Sequence, residues 1–149
     1  GRTVSLTLSY GFCVARHRDE WRELLAGRVD VVFAHAGEVC SLFAVTDVAI
    51  AVEALASEVD LAFVTLGPPG TLVVSGSERI PVAADELHAV VDTTGAGDLY
   101  AAGVLFGLSR GATPDHAARL GSIAAAEVIS HLGARPKMDL VAVAKSILG

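Results

Sequence analysis

Short apolar runs recur along this chain, and each gives way to a stretch whose apolar residues fall at helical spacing. Val29 to Ala34 and Leu61 to Leu66 are apolar almost without interruption, the mark of strands buried on both faces. Arg18 to Ala26 reads as a helix with Trp21, Leu24 and Leu25 on one face, and Thr46-Asp47 caps a second helix running to about Ser57. Thr3 to Leu8 is a further strand, so the chain opens on a βαβ unit. Leu72-Val73-Val74 and Arg79-Ile80-Pro81-Val82 flank Ser75-Gly76-Ser77 and form a hairpin. The expected fold is α/β: an open, mainly parallel sheet flanked by helices, with the hairpin at the sheet edge.

A hydrophobic fraction of 52% against 19% charged residues supplies a compact core, and with no repeat or low-complexity linker residues 1–149 read as a single domain. The net charge is -6, and the densest basic cluster, Arg16-His17-Arg18, runs straight into Asp19-Glu20. That leaves no electrostatic footprint for nucleic acid. The apolar runs fall short of the roughly 20 residues a membrane span needs, so no membrane partner is expected and the chain reads as soluble and cytoplasmic. Cys13 and Cys40 are isolated and flanked by apolar residues, which points to reduced core thiols.

Asp92-Thr93-Thr94-Gly95-Ala96-Gly97-Asp98 sets small residues between two carboxylates where Val90-Val91 ends a strand and Leu99 to Leu108 forms a helix. Gly95, Ala96 and Gly97 occupy the helix entrance. Unpaired N–H groups and partial positive charge attract an anion there, and residues without bulky side chains let it approach. A carboxylate beside such a site repels phosphate, so Asp98 suits the removal of a proton from a hydroxyl that attacks the phosphate. The alternative is a tight turn with Asp98 as a cap. A dinucleotide fingerprint would need Gly or Ala where Tyr100 stands, and the Gly-Lys-Ser/Thr of a P-loop occurs nowhere. Downstream, Thr113-Pro114 starts a helix that runs to about His131 and is closed by Gly133, and a last helix spans Leu140 to Leu148. Ligands of open α/β sheets bind beyond the carboxyl ends of the strands, where the loops at His35, Gly67 and Gly95 are expected to gather.

The seven-residue run resembles the C-terminal signature of the ribokinase or PfkB family of carbohydrate and nucleoside kinases, Asp-Thr-x-Gly-Ala-Gly-Asp, at every position. The resemblance extends upstream through Ser5 to Ser9 and Phe12 to Arg18 and downstream through Ala125 to Pro136, closest to the bacterial adenosine kinase and sugar kinase subgroup. It implies a ribokinase-like fold and transfer of phosphate from ATP to a hydroxyl of a small nucleoside or sugar. Asp98 is then the catalytic base, and Gly95, Ala96 and Gly97 form the anion hole. Thr65-Leu66-Gly67-Pro68-Pro69-Gly70 resembles the family's Thr-x-Gly-x-x-Gly nucleotide loop, giving Thr65, Gly67 and Gly70 to ATP; the two prolines donate no N–H. The adenine pocket falls on Gly121, Ala125, Val128 and Ile129, residues that core packing at helical spacing explains equally.

The family's Asn-x-x-Glu, whose Glu organises Mg2+, corresponds to His35-Ala36-Gly37-Glu38; Glu38 is either that residue or a surface acid at a helix start. Asp92 and Thr94, with carbonyls of the Val128 to Gly133 stretch, correspond to the K+ site of potassium-activated members, and Asp92 reads equally as a cap on the turn. Tyr10 stands where the subgroup has Asp. The resemblance covers the C-terminal half of the family's length, and a start at Gly1-Arg2-Thr3 without Met accords with a fragment. Adenosine is favoured over ribose or fructose as acceptor. The exposed sheet edge of such a piece is a surface for homodimerisation. The other reading is a nucleotide-binding or interaction module without turnover.

Overall fold

The computed structural model describes residues 2–86 and 89–148, so the two ends of the expected domain, Gly1 and Gly149, lie outside the described residues. Within them the chain forms two compact units: Gly1–Gly67 with Thr71–Pro81, and Pro68–Gly70 with Val82–Gly149.

The first unit carries a mixed five-stranded sheet in the order β1 (Ser5–Thr7), β2 (Val31–His35), β3 (Leu61–Thr65), β4 (Thr71–Ser75), β5 (Glu78–Val82). β1–β2 and β2–β3 pair in parallel and β3–β4 antiparallel, as expected of a parallel sheet that ends in a hairpin. Side chains alternate across it. Val32, Ala34, Ala62, Val64 and Val74 enter one core with Leu8, Val14, Leu25, Val39, Leu42, Val52 and Leu55, while Phe33, Phe63 and Val73 occupy the opposite face. Phe33 and Phe63 stack with ring centroids 5.5 Å apart. Each fully buried Leu, Val or Phe of such a core contributes about 1.5–3 kcal/mol relative to exposure.

Four helices accompany the sheet: α1 (Gly11–Arg16), α2 (Arg18–Arg28), α3 (Ala36–Phe43) and α4 (Val48–Ala56). Asp47 caps α4 as its sequence announces, its carboxylate accepting the N–H groups of Ala49 and Ile50. On α2, Leu25 is buried and Trp21 packs on the core, but Leu24 is exposed: residues four apart share the inward face and Leu24 falls off it. Cys13 is exposed rather than in the core, because α1 is short and buries only Val14; Cys40 is half-buried.

The second unit is built from α5 (Ala96–Ser109), α6 (Pro114–Ile129) and α7 (Leu140–Leu148). Glycines let α5 and α6 meet backbone to backbone. A Cβ on Gly103 would lie 2.7 Å from the Leu120 carbonyl oxygen, and one on Gly121 would lie 2.7 Å from that of Tyr100. Pro114 starts α6 at its first position, yet the Thr113 side chain does not cap the helix; beside Asp115 it holds that carboxyl below its ordinary pKa. The expected strand at Val90-Val91 is absent. The N–H groups of Val91 and Asp92 both donate to the carbonyl of Ile129, at 2.8 and 3.3 Å, so a helix end takes the donors that a sheet ladder would have used. α6 accordingly stops at Ile129, before His131. Among the described residues no single helix is long and apolar enough to cross a membrane.

Candidate active site

Asp92 organises the turn ahead of α5. Its Oδ1 accepts the Thr94 N–H at 2.9 Å and its Oδ2 accepts the Gly133 N–H at 3.0 Å. The Thr94 hydroxyl is the largest cause, with these N–H groups behind it, of a carboxyl pKa pulled from 3.8 down to about 2. The carboxylate therefore ties the signature to the segment after α6, bringing together three residues of the expected cation site, Asp92, Thr94 and Gly133.

Gly95 follows as the α5 N-cap in the left-handed region, φ 81°, and a Cβ there would meet that of Ala134 at 2.7 Å. Both facts require glycine. The Ala96 N–H is committed to the Thr93 carbonyl at 3.2 Å, and Leu99 N–H bonds the Gly95 carbonyl at 2.9 Å. The N–H groups of Gly95, Gly97 and Asp98 have no acceptor among the described residues. Gly97 is exposed, has helical geometry and has open space where a Cβ would project, so nothing in the chain itself asks for glycine at that position. The Asp98 side chain is exposed and makes no hydrogen bond or ion pair among the described residues. Together these give a cradle of free N–H donors whose last residue, Asp98, carries an uncommitted carboxylate.

The adenine-pocket residues divide in two. Gly121 serves the α5–α6 contact and Val128 is fully buried, whereas Ala125 and Ile129 are half-buried. Gly70 has φ 107°, and a Cβ on it would collide with the backbone of Val82, Ala83 and Ala84.

In the first unit, His35 and Thr65 are register partners at the carboxyl ends of β2 and β3, and Gly67 follows in the left-handed region. Thr65 Oγ1 donates to the Ala34 carbonyl at 3.4 Å. Glu38 is half-buried in the first turn of α3, where it completes a capping box: its Oε2 accepts the His35 N–H at 2.8 Å and His35 Nδ1 accepts the Gly37 N–H at 3.2 Å. Its other oxygen makes no hydrogen bond among the described residues. One free carboxylate oxygen suits Mg2+, which is commonly held by one or two carboxylates with water and phosphate.

Glu127 is a residue that the sequence reading passed over. Only 8% of its side-chain surface is exposed, and its Oε1 accepts from Lys137 N–H at 2.7 Å, Met138 N–H at 3.1 Å and His131 Nε2 at 3.1 Å. Burial pushes the carboxyl pKa up, but these donors outweigh it and leave the group below its ordinary value. The four-residue spacing of Glu127, in the last turn of α6, and His131 just beyond it was the available signal; the two backbone donors come from a loop no periodicity announces.

The sequence profile of the pfkB family carbohydrate kinases matches residues 14–140. A cytidine kinase of Thermococcus kodakarensis is 35% identical over 136 residues, covering 88% of this chain and 48% of that protein. Among solved structures, adenosine kinase from Sinorhizobium meliloti is 47% identical with a TM-score of 0.94, covering 98% of this chain and 45% of that one. A probable sugar kinase protein from Rhizobium etli is 41% identical, also at 0.94, covering 98% and 44%. The chain thus spans about half the length of these relatives. With a signature turn of this geometry and a profile match over most of its residues, the chain belongs to the pfkB family of carbohydrate kinases.

Proposed function

We propose that the protein to which this chain belongs transfers the terminal phosphate of ATP to a hydroxyl of a nucleoside or sugar. The observation that carries the reading is the α5 entrance, where free N–H donors of Gly95, Gly97 and Asp98 adjoin the uncommitted Asp98 carboxylate. Asp98 takes the proton of the acceptor hydroxyl as its oxygen bonds to the terminal phosphorus, and the bond to the bridging oxygen breaks to release ADP. Backbone donors aimed at charge that develops on the transferred group are worth about 3 kcal/mol each.

Thr65, Gly67 and Gly70 are assigned to the nucleotide, with Ala125 and Ile129 as the accessible members of the adenine wall. Glu38 would hold Mg2+, which would supply charge neutralisation on the phosphates; K+ at Asp92, Thr94 and Gly133 would stiffen the signature turn. Adenosine heads the acceptors, since the likeness to an adenosine kinase, at 47% identity, exceeds that to the probable sugar kinase, at 41%, and to the cytidine kinase, at 35%. The ATP chemistry favours a cytoplasmic setting, and in this chain taken by itself the β1 edge is a surface through which two copies would pair.

A coupled assay of ATP consumption by the complete protein, run over nucleosides and sugars with and without K+, tests the reading. Turnover with adenosine above all other acceptors is expected. Turnover with a sugar alone would move the acceptor, and ATP consumption with none of them would contradict the assignment.

A further inference from the structure

We infer that Glu127 is a positioning residue for the signature turn, acting as the buckle of a strap that holds the turn in shape. The inference rests on the reading of that turn as a phosphate site. The strap is the segment between the end of α6 and Lys137-Met138. One end is fixed where Ser130 N–H and Oγ both donate to the Glu127 carbonyl, Oγ at 2.7 Å. The other end is fixed where the backbone N–H groups of Lys137 and Met138 donate to Oε1 of the same residue, at 2.7 and 3.1 Å. His131, with Nε2 on Oε1 and Nδ1 3.2 Å from the Leu132 carbonyl oxygen, braces the interior.

Between the two fixed ends lie the contacts that reach the signature. Gly133 donates its N–H to Asp92, and Ala134 stands against Gly95 so closely that a Cβ on Gly95 would lie 2.7 Å from its own. Among the described residues Glu127 makes no hydrogen bond or ion pair with the signature residues. It reaches them only through a strap whose two ends it holds, and hydrogen bonds to a charged acceptor are the stronger kind. Oε2 of Glu127 is buried and makes no hydrogen bond among the described residues, and a Gln at this position keeps a carbonyl oxygen that accepts from Lys137 and Met138 while giving up the charge.

Amide hydrogen exchange of this chain, read by NMR, tests the strap. In Glu127→Ala the amides of Thr94, Ala96 and Gly133, each hydrogen-bonded within the turn or to it, are expected to exchange at least about tenfold faster. Those of Val104 and Leu105 inside α5 should stay within about twofold, and Glu127→Gln, which keeps the acceptor without the charge, should fall between Glu127→Ala and wild type. Acceleration confined to Gly133, or spread equally through α5, would overturn the inference, since the first leaves the signature independent of the strap and the second is a plain loss of stability. If Glu127→Ala does not fold, two glycines inserted between Arg135 and Pro136 slacken the strap with Glu127 in place, and the same three amides are expected to accelerate. Unchanged exchange there would overturn it. ATP titrated into the wild-type chain separates the two readings: absent binding would count against the phosphate site, while the exchange result would still decide the strap.

Discussion

Gly95 and Gly97 stand on either side of Ala96 and are glycine for different reasons. Gly95 sits at φ 81° with Ala134 against it, so Gly95→Ala is expected to destabilise the second unit by more than about 1 kcal/mol, read by chemical denaturation. Gly97 has helical geometry and open space, so Gly97→Ala is expected to leave stability unchanged or raise it by up to about 1 kcal/mol, yet weaken ATP binding in a titration. A variant in which both properties fall together would remove the argument that Gly97 makes room for an anion. Asp92 has a different signature, because its carboxyl pKa is lowered from 3.8 to about 2 in the fold. The stabilisation is complete above the unfolded value and is lost as pH falls from about 4 toward 2. Acid unfolding followed by circular dichroism should therefore flatten over that window in Asp92→Asn, and an unaltered acid limb would contradict the role of the carboxylate. At this scale the signature was legible as a string, whereas the commitment of the Ala96 N–H to Thr93 and the buckle at Glu127 were not. Both depend on backbone N–H donors, and side-chain identity does not encode where those N–H groups point.

The α5–α6 pair is the element that carries the turn, and its fit depends on glycines that propensity alone would call defects. Gly103→Ala and Gly121→Ala each drive a Cβ to 2.7 Å from a carbonyl oxygen of the facing helix, and each is expected to cost about 1–3 kcal/mol in urea unfolding. Wild-type stability in both would mean the two helices separate freely. Helix existence was readable because caps and periodicity agree: Asp47 for α4, Pro114 for α6 and the run from Leu140 for α7. α1 was not readable, being six residues long with a single buried side chain. Val90-Val91 misled for a plain reason: β-branched pairs favour extended backbone, and extended backbone becomes a strand only where a neighbour supplies the ladder. The Ile129 carbonyl takes both donors first. His35 and Glu38 were visible as half a motif, but the reciprocal capping they form was hidden because His is outside the usual N-cap set.

Across the whole molecule, the alternation of apolar runs and helices carried the existence of strands β1 to β4 and the change from parallel to antiparallel pairing, while the order of the strands comes from the structure alone. The division into two compact units left no mark in composition, since no linker-like stretch separates them. This chain spans about half the length of its relatives, and on its own it is expected to bind ATP weakly and transfer no phosphate, measured by calorimetry and the coupled assay. Full turnover by these 149 residues would show that the acceptor site needs nothing beyond them. The central claim is that the signature turn holds the phosphate while Asp98 removes the acceptor's proton. The direct test is Asp98→Asn in the complete protein, with kcat and ATP affinity measured on the same preparation. The account predicts a fall in kcat of several orders of magnitude with ATP affinity nearly unchanged, and wild-type-like turnover would contradict it.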